Sequence, residues 1–167
     1  MAKPFSPTTM RSIDVQFDQL TKKVNSNIAD TLAEAARTCL LNVINPDGKD
    51  PYKTGSYISS HRVGVNIVDT SDTVIYQVGI RTKEVAKARA YLELKKITNI
   101  KPDDTITISN SVGYSTKYGY SWARNVEYAG WAGQGPYLIY EKAALEAMDD
   151  IPKYVQQIKT TTTETVK

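Results

Sequence analysis

From Phe17 to Val43 the chain repeats one pattern. Leu20, Val24, Ile28, Leu32, Ala35, Cys39 and Val43 return every three or four residues, and Lys22, Lys23, Asn25, Asp30, Glu34 and Arg37 fill the positions between. A period near 3.6 held over this length predicts an amphipathic helix with a single apolar stripe. Asp14 or Asp18 can cap its start. Pro46 sets its end near Asn45, because the residue before a proline is driven out of helical geometry. A stripe that long must be laid on a sheet or on another helix. The rest of the sequence therefore has to provide the cover.

It provides short strands and two further helices. Asn45–Ser56 reads NPDGKDPYKTGS, a succession of turn signals. Thr54-Gly55 suggests a turn with Gly55 at positive φ, and Pro51, Thr54 and Gly55 are taken together as a structural turn. YISSHRVGVNIV alternates around Val63, Val65 and Ile67, and TVIYQVGI (73–80) is rich in β-branched residues. The polar link DTSD between them predicts a hairpin. TKEVAKARAYLELKKI fits strand alternation and helical steps equally well. Its Ala, Lys, Glu, Arg and Leu content decides for a helix. TITISNS, from Thr105 to Ser111, is an alternating strand. A last helix is predicted from Pro136 to about Lys159, with Leu138, Ala144, Leu145, Met148, Ile151, Val155 and Ile158 on its apolar face. Pro152 is expected to kink or split it.

The expectation is one α+β domain over 1–167, in which a long N-terminal helix and a C-terminal helix cover one face of a small, mostly antiparallel sheet. Residues 1–11, with Pro4 and Pro7, are expected as a mobile arm, 12–159 as the core and 160–167 as a flexible tail.

Little in the sequence points to chemistry. There is one histidine and one cysteine, which excludes a two-histidine metal site, a thiolate cluster and a disulfide framework. His61 is expected to face solvent on its strand, and Cys39 to be a buried, inert thiol. Asp103-Asp104 and Asp149-Asp150 fall in a turn and a helix flank. No nucleophile elbow and no phosphate-cradling glycine pattern occurs. Neither an enzyme nor a cofactor is expected, and no apolar window is long enough to predict a membrane partner.

Two other features stand out. Between positions 81 and 101 lie Arg81, Lys83, Lys87, Arg89, Lys95, Lys96 and Lys101, opposed by Glu84 and Glu93 alone; that balance of +5 exceeds the +3 of the whole chain. Such a run is either a solvated face or a patch that meets an acidic partner or passing nucleic acid. The second feature is WARNVEYAGWAGQGPYLIYEKAA, from Trp122 to Ala144, which holds both tryptophans beside a glycine-rich loop. Large rings on a pliant loop suit a subunit contact better than a pocket, which needs converging polar groups. Trp122, Glu127, Tyr128, Trp131 and Tyr137 are expected at such an interface, with Trp122 alternatively a core residue one helical turn before Val126. Glu127 is expected to pair with a basic group, either Arg124 at helical spacing or one on a neighbouring subunit.

Two segments together resemble the neck, or tail-completion, proteins at the head–tail junction of long-tailed phages. DPYKTGSYISSHRVGV is similar to that family's aPvdTGxLrxSi signature, through Pro51, Thr54, Gly55, Tyr57 and Ser59 or Ser60. TITISNSVGYSTKYGYSWARNVEYAGWAGQGPYLIYEKAA resembles isN…pYAxxlEyGxsxqaPxgfl…A, through Asn110, Ala123, Val126, Glu127, Tyr128, Gly130, Gln134, Pro136 and Ala144. Trp122 stands where the family has tyrosine, Ala129 intrudes before Gly130, and GYSTKYGY is an extra loop. The resemblance covers about 14–158. It implies a non-enzymatic virion component, made in the host cytoplasm, that forms a ring of identical subunits, typically six, around the DNA channel. Its partners would be itself and other neck, connector or tail-tube proteins, with DNA only as the passing genome. A nucleic-acid-binding module using the tyrosine-rich loop and the basic run is the alternative, and a small hydrolase a third reading.

Overall fold

The computed structural model describes residues 7–47, 55–71, 82–112, 127–128 and 136–164. The chain is α+β. Helix α1 (Pro7–Ile44) is followed by the single turn α2 (Ser56–Ser59), strand β1 (His61–Val65), helix α3 (Lys83–Tyr91) with a 3₁₀ continuation over Leu92–Lys96, strand β2 (Ile106–Asn110) and helix α4 (Ile139–Glu164). The strands pair antiparallel in the register His61↔Asn110, Val63↔Ile108 and Val65↔Ile106. The 73–80 strand expected beside β1 lies outside the described residues.

Helices α1 and α4 run antiparallel. Asn42 donates to Glu146 at 2.7 Å, and Thr38 Oγ1 lies 2.6 Å from the Tyr154 hydroxyl. The line of α1 that enters the core joins the stripe expected from the sequence only near its C-terminal end, at Val43, and otherwise runs beside it. Ala29, Ala33, Ala36, Leu40 and Val43 are buried, while Val24 and Ile28 are each 47 % exposed. Helix α4 repeats the arrangement: Ile139, Ala143 and Ala147 are buried, and Leu145, Met148, Ile151 and Val155 are exposed. Both patterns have helical period, and a period does not say which of two adjacent lines is covered. Alanine lines allow the closer backbone approach and bring the helices together with the sheet. Ile44, Ile58, Val63, Ala86, Ala90 and Ile97 complete that core.

Several boundaries differ from expectation. The helix begins at Pro7, inside the expected arm; proline suits a first helical position, where its missing N–H would be unpaired anyway. Helix α4 runs unsplit through Pro152 to Glu164, into the expected tail. Residues 56–59 form a helical turn rather than the start of a strand. Gly55 precedes that turn at φ 81°, the positive φ its sequence suggests, and Pro51 and Thr54 lie outside the described residues. The helix expected over 82–97 is present, N-capped by the Thr82 hydroxyl, which accepts from Val85 N–H at 3.3 Å.

After β1 the chain reverses at Asn66, whose φ is 60°. Asn66 continues the ladder by donating its N–H to Thr105 O at 2.8 Å, and its side chain bonds Thr105 N–H and Asp104. The returning segment lies against β1 so closely that a Cβ on Gly64 would sit 2.2 Å from Ile67 O. Arg62 Nε reaches Ser71 Oγ at 3.0 Å, and the Ser109 hydroxyl bonds Asp69 O. Covered on both sides, β1 is buried from His61 to Gly64.

Candidate functional site

Polar residues from α2, β1, β2 and α4 meet around Glu127, which is 7 % exposed. Gly55 aims α2 so that Tyr57 points inward, and the Tyr57 hydroxyl donates a short hydrogen bond to Glu127 Oε1. Glu127 Oε2 accepts from the backbone N–H of Tyr140 at 3.1 Å, and Glu127 O accepts from Leu138 N–H at 3.1 Å. Helix α4 begins at Ile139, so the glutamate satisfies a first-turn N–H that has no partner within the helix. One carboxyl group thus joins α2 to the start of α4, across a sequence separation of 70 residues to Tyr57.

Asn110 closes the cluster from the end of β2. Its Nδ2 donates to Tyr57 O at 2.8 Å, and its Oδ1 accepts from Val112 N–H at 3.1 Å. These two backbone bonds fix the amide, so a donor faces His61 Nδ1 at 3.3 Å. Nδ1 therefore carries the lone pair and accepts from the Tyr140 hydroxyl at 2.7 Å. The proton resides on Nε2, which is buried with no partner among the described residues. An orphaned donor of this kind costs about 1–3 kcal/mol. His61 also packs edge-on to Tyr57, ring centroids 5.1 Å apart.

His61 is completely buried, contrary to the solvent-facing position expected from its strand. Burial first, and the adjacent Arg62 guanidinium second, push its pKa down to about 3. Burial also raises the Tyr57 and Tyr140 phenols, helped by the nearby Glu127. The cluster is therefore a set of neutral rings and amides around one carboxyl group. Cavities of about 380, 580 and 360 Å³ lie elsewhere and are lined by none of Tyr57, His61, Asn110, Glu127 and Tyr140. Chemically the arrangement can hold elements together; it offers a substrate no approach through those cavities.

The expected interface residues separate. Glu127 is buried and bonded to Tyr57 and the Tyr140 N–H, and among the described residues no basic group bonds it. Tyr137 is buried, whereas Tyr128 is 66 % exposed. Trp122, Arg124 and Trp131 lie outside the described residues. Cys39 is half-buried, and burial raises its pKa.

The basic run is less available than its count suggests. Lys96 bridges Asp69 at 3.0 Å and Glu93 at 2.7 Å. Burial works against its charge, yet those bonds outweigh it and hold its pKa above the usual lysine value. Glu93 also accepts from Val63 N–H at 2.9 Å, so this pair fastens the 3₁₀ segment to β1. Lys87 donates to Asn45 at 2.8 Å. Lys95 and Lys101 are exposed; Arg81 lies outside the described residues, and Lys83 and Arg89 have partners.

Among the described residues no group of three metal-ligating side chains converges, and no helix is long and apolar enough to cross a membrane. Compared with known proteins, the chain matches no family model, no curated protein and no solved structure. The roles of His61 and Tyr140 are not foreseeable from the sequence. Nor does the sequence mark Glu127 for burial, since a glutamate is rarely buried without a partner.

Proposed function

We propose that this protein is a structural component of the head–tail junction of a long-tailed phage, a terminator, completion or neck ring built of identical subunits around the DNA channel. One observation carries the reading. Tyr57 belongs to the first motif resembling that family, and Asn110 and Glu127 belong to the second. Those motifs are far apart in sequence, yet Tyr57 bonds both Glu127 and Asn110. Residues that recur together because they hold one fold in place are expected to meet in this way. The exposed Tyr128 beside the fixed Glu127 then gives an aromatic anchor on a firm base, suited to a neighbouring subunit. On this reading the protein is not an enzyme, needs no cofactor, and its partners are itself and adjoining neck, connector or tail-tube proteins.

The test is localisation. An antibody or gold label against this chain, applied to intact particles in the electron microscope, should mark the head–tail junction, and the purified chain should form rings alone or with junction partners. A label confined to the capsid shell, or particles lacking the chain, would refute the proposal.

A further inference from the structure

Helices α1 and α4 bury their alanines with Leu40, Val43, Ile44 and Ile139, and turn Val24, Ile28, Leu145, Met148, Ile151 and Val155 outward. Beside the shared alanine lines lies an apolar groove of about 580 Å³, lined among the described residues by Val24, Ile28, Leu32, Ala35, Ile151 and Val155, with Asn27 and Thr31 as its polar members. Leu145 and Met148, 57 % and 64 % exposed, extend the apolar surface along α4. A helix apolar on two faces is normally covered on both.

We infer that a second copy of this chain covers the groove, and that the covering element is the N-terminal part of its α1. The relative lengths of the helices supply the argument. Asn42 faces Glu146 and Thr38 faces Tyr154, so in an antiparallel pair Glu164, at the end of α4, comes level with the Val24–Ile28 turn of α1. Pro7–Lys23, seventeen residues or about 25 Å of helix, continue beyond the end of α4. In sequence Ile13, Phe17 and Leu20 precede Val24 at the same four-and-three spacing, so the groove's apolar register runs on into this projecting segment.

The arrangement closes on itself. An arm laid antiparallel in a partner's groove brings the partner's arm into its own, about a twofold axis near Lys23, so one contact is made twice. Each arm is about 25 Å long and about 10 Å wide. Two arms with their grooves cover a projected area of roughly 1,000 Å², at the lower bound for a specific interface. The inference stands on helix geometry and does not require the head–tail reading.

Light scattering and sedimentation of the full chain test it. The unmodified chain should be a dimer or an even-numbered oligomer. Phe17→Glu with Leu20→Glu should weaken the pairing at least about tenfold. Ile28→Glu with Val155→Glu should do the same, and both variants should keep the parent far-UV circular dichroism. With Cys39 changed to Ser, a mixture of Phe17→Cys and Ile28→Cys chains should form a mixed disulfide. A monomeric parent chain would overturn the inference. So would dissociation by the groove variant alone, which would give the groove to another occupant. If both variants stay associated, the copies meet elsewhere; this inference then fails while the ring reading stands.

Discussion

His61 makes a quantitative prediction about acid. Its pKa falls from the ordinary 6.5 to about 3 in the folded protein, because the ring is completely buried and Arg62 stands beside it. Groups packed around it are Tyr57, Asn110 and Tyr140, with Glu127 reaching it only through the tyrosines. No carboxyl group bonds the ring directly among the described residues. Below pH 6.5 the unfolded chain binds a proton that the folded chain refuses. Stability is therefore lost as pH falls from about 6.5 to about 3, at up to about 1.4 kcal/mol per pH unit, and the loss ends once both states are protonated. Between pH 7 and pH 4.5 this one ring removes about 3 kcal/mol. That is a large part of the 5–15 kcal/mol typical of a domain. Urea unfolding at the two pH values measures it, with His61→Asn as the reference that cannot titrate. The variant should start less stable at pH 7 but fall about 3 kcal/mol less on acidification. The chain has one histidine, so its ring proton signal in NMR needs no assignment and should not titrate in the folded protein above pH 4. Equal pH slopes in the two proteins, or a folded-state titration near 6.5, would refute the reasoning.

Four further outcomes are expected. Gly55→Val should destabilise by about 1–3 kcal/mol, since valine resists φ 81°, and an unchanged melt would remove this glycine's role. Gly64→Ala should lower the melting temperature, because the new methyl group meets Ile67 O at 2.2 Å unless the returning segment moves. Glu127→Ala should cost about 2–4 kcal/mol in urea unfolding by orphaning Tyr57 and the first-turn N–H of α4, whereas a residue serving only an interface would leave the monomer unchanged. Tyr128→Ser should shift the monomer by less than about 0.5 kcal/mol and reduce oligomer or particle incorporation.

How far the fold could be read depended on what each signal reports. Periodicity found α1 and α4, and residue type correctly settled 82–97 as helical, since Ala, Lys and Glu favour helices whatever they pack against. Alternation found β2 and most of β1. It failed at 56–59, where Gly55 at positive φ turns the chain into one helical turn first. The solvent-facing expectation for His61 went against alternation, which puts it on the face of Val63 and Val65, where Tyr57 and Tyr140 cover it. The segment that doubles back from Asn66 meets Arg62 on the other face. The choice between the alanine line and the Val24–Ile28 line of α1 depends on tertiary contact with α4, more than a hundred residues away. No local window contains that information.

The same separation sets a schedule for synthesis. Thr38 bonds Tyr154 and Asn42 bonds Glu146, at separations of 116 and 104 residues. At ribosomal rates of about 5–20 residues per second, α1 spends roughly 5–20 s outside the exit tunnel before its partner helix exists. During that time the alanine line has only the α2, β1 and α3 residues to cover it, and the Val24–Ile28 line stays bare. Chains released before α4 is complete are expected to aggregate or to be held by chaperones, and ribosome-bound intermediates should gain protease resistance late, only once the segment beyond Tyr154 has emerged.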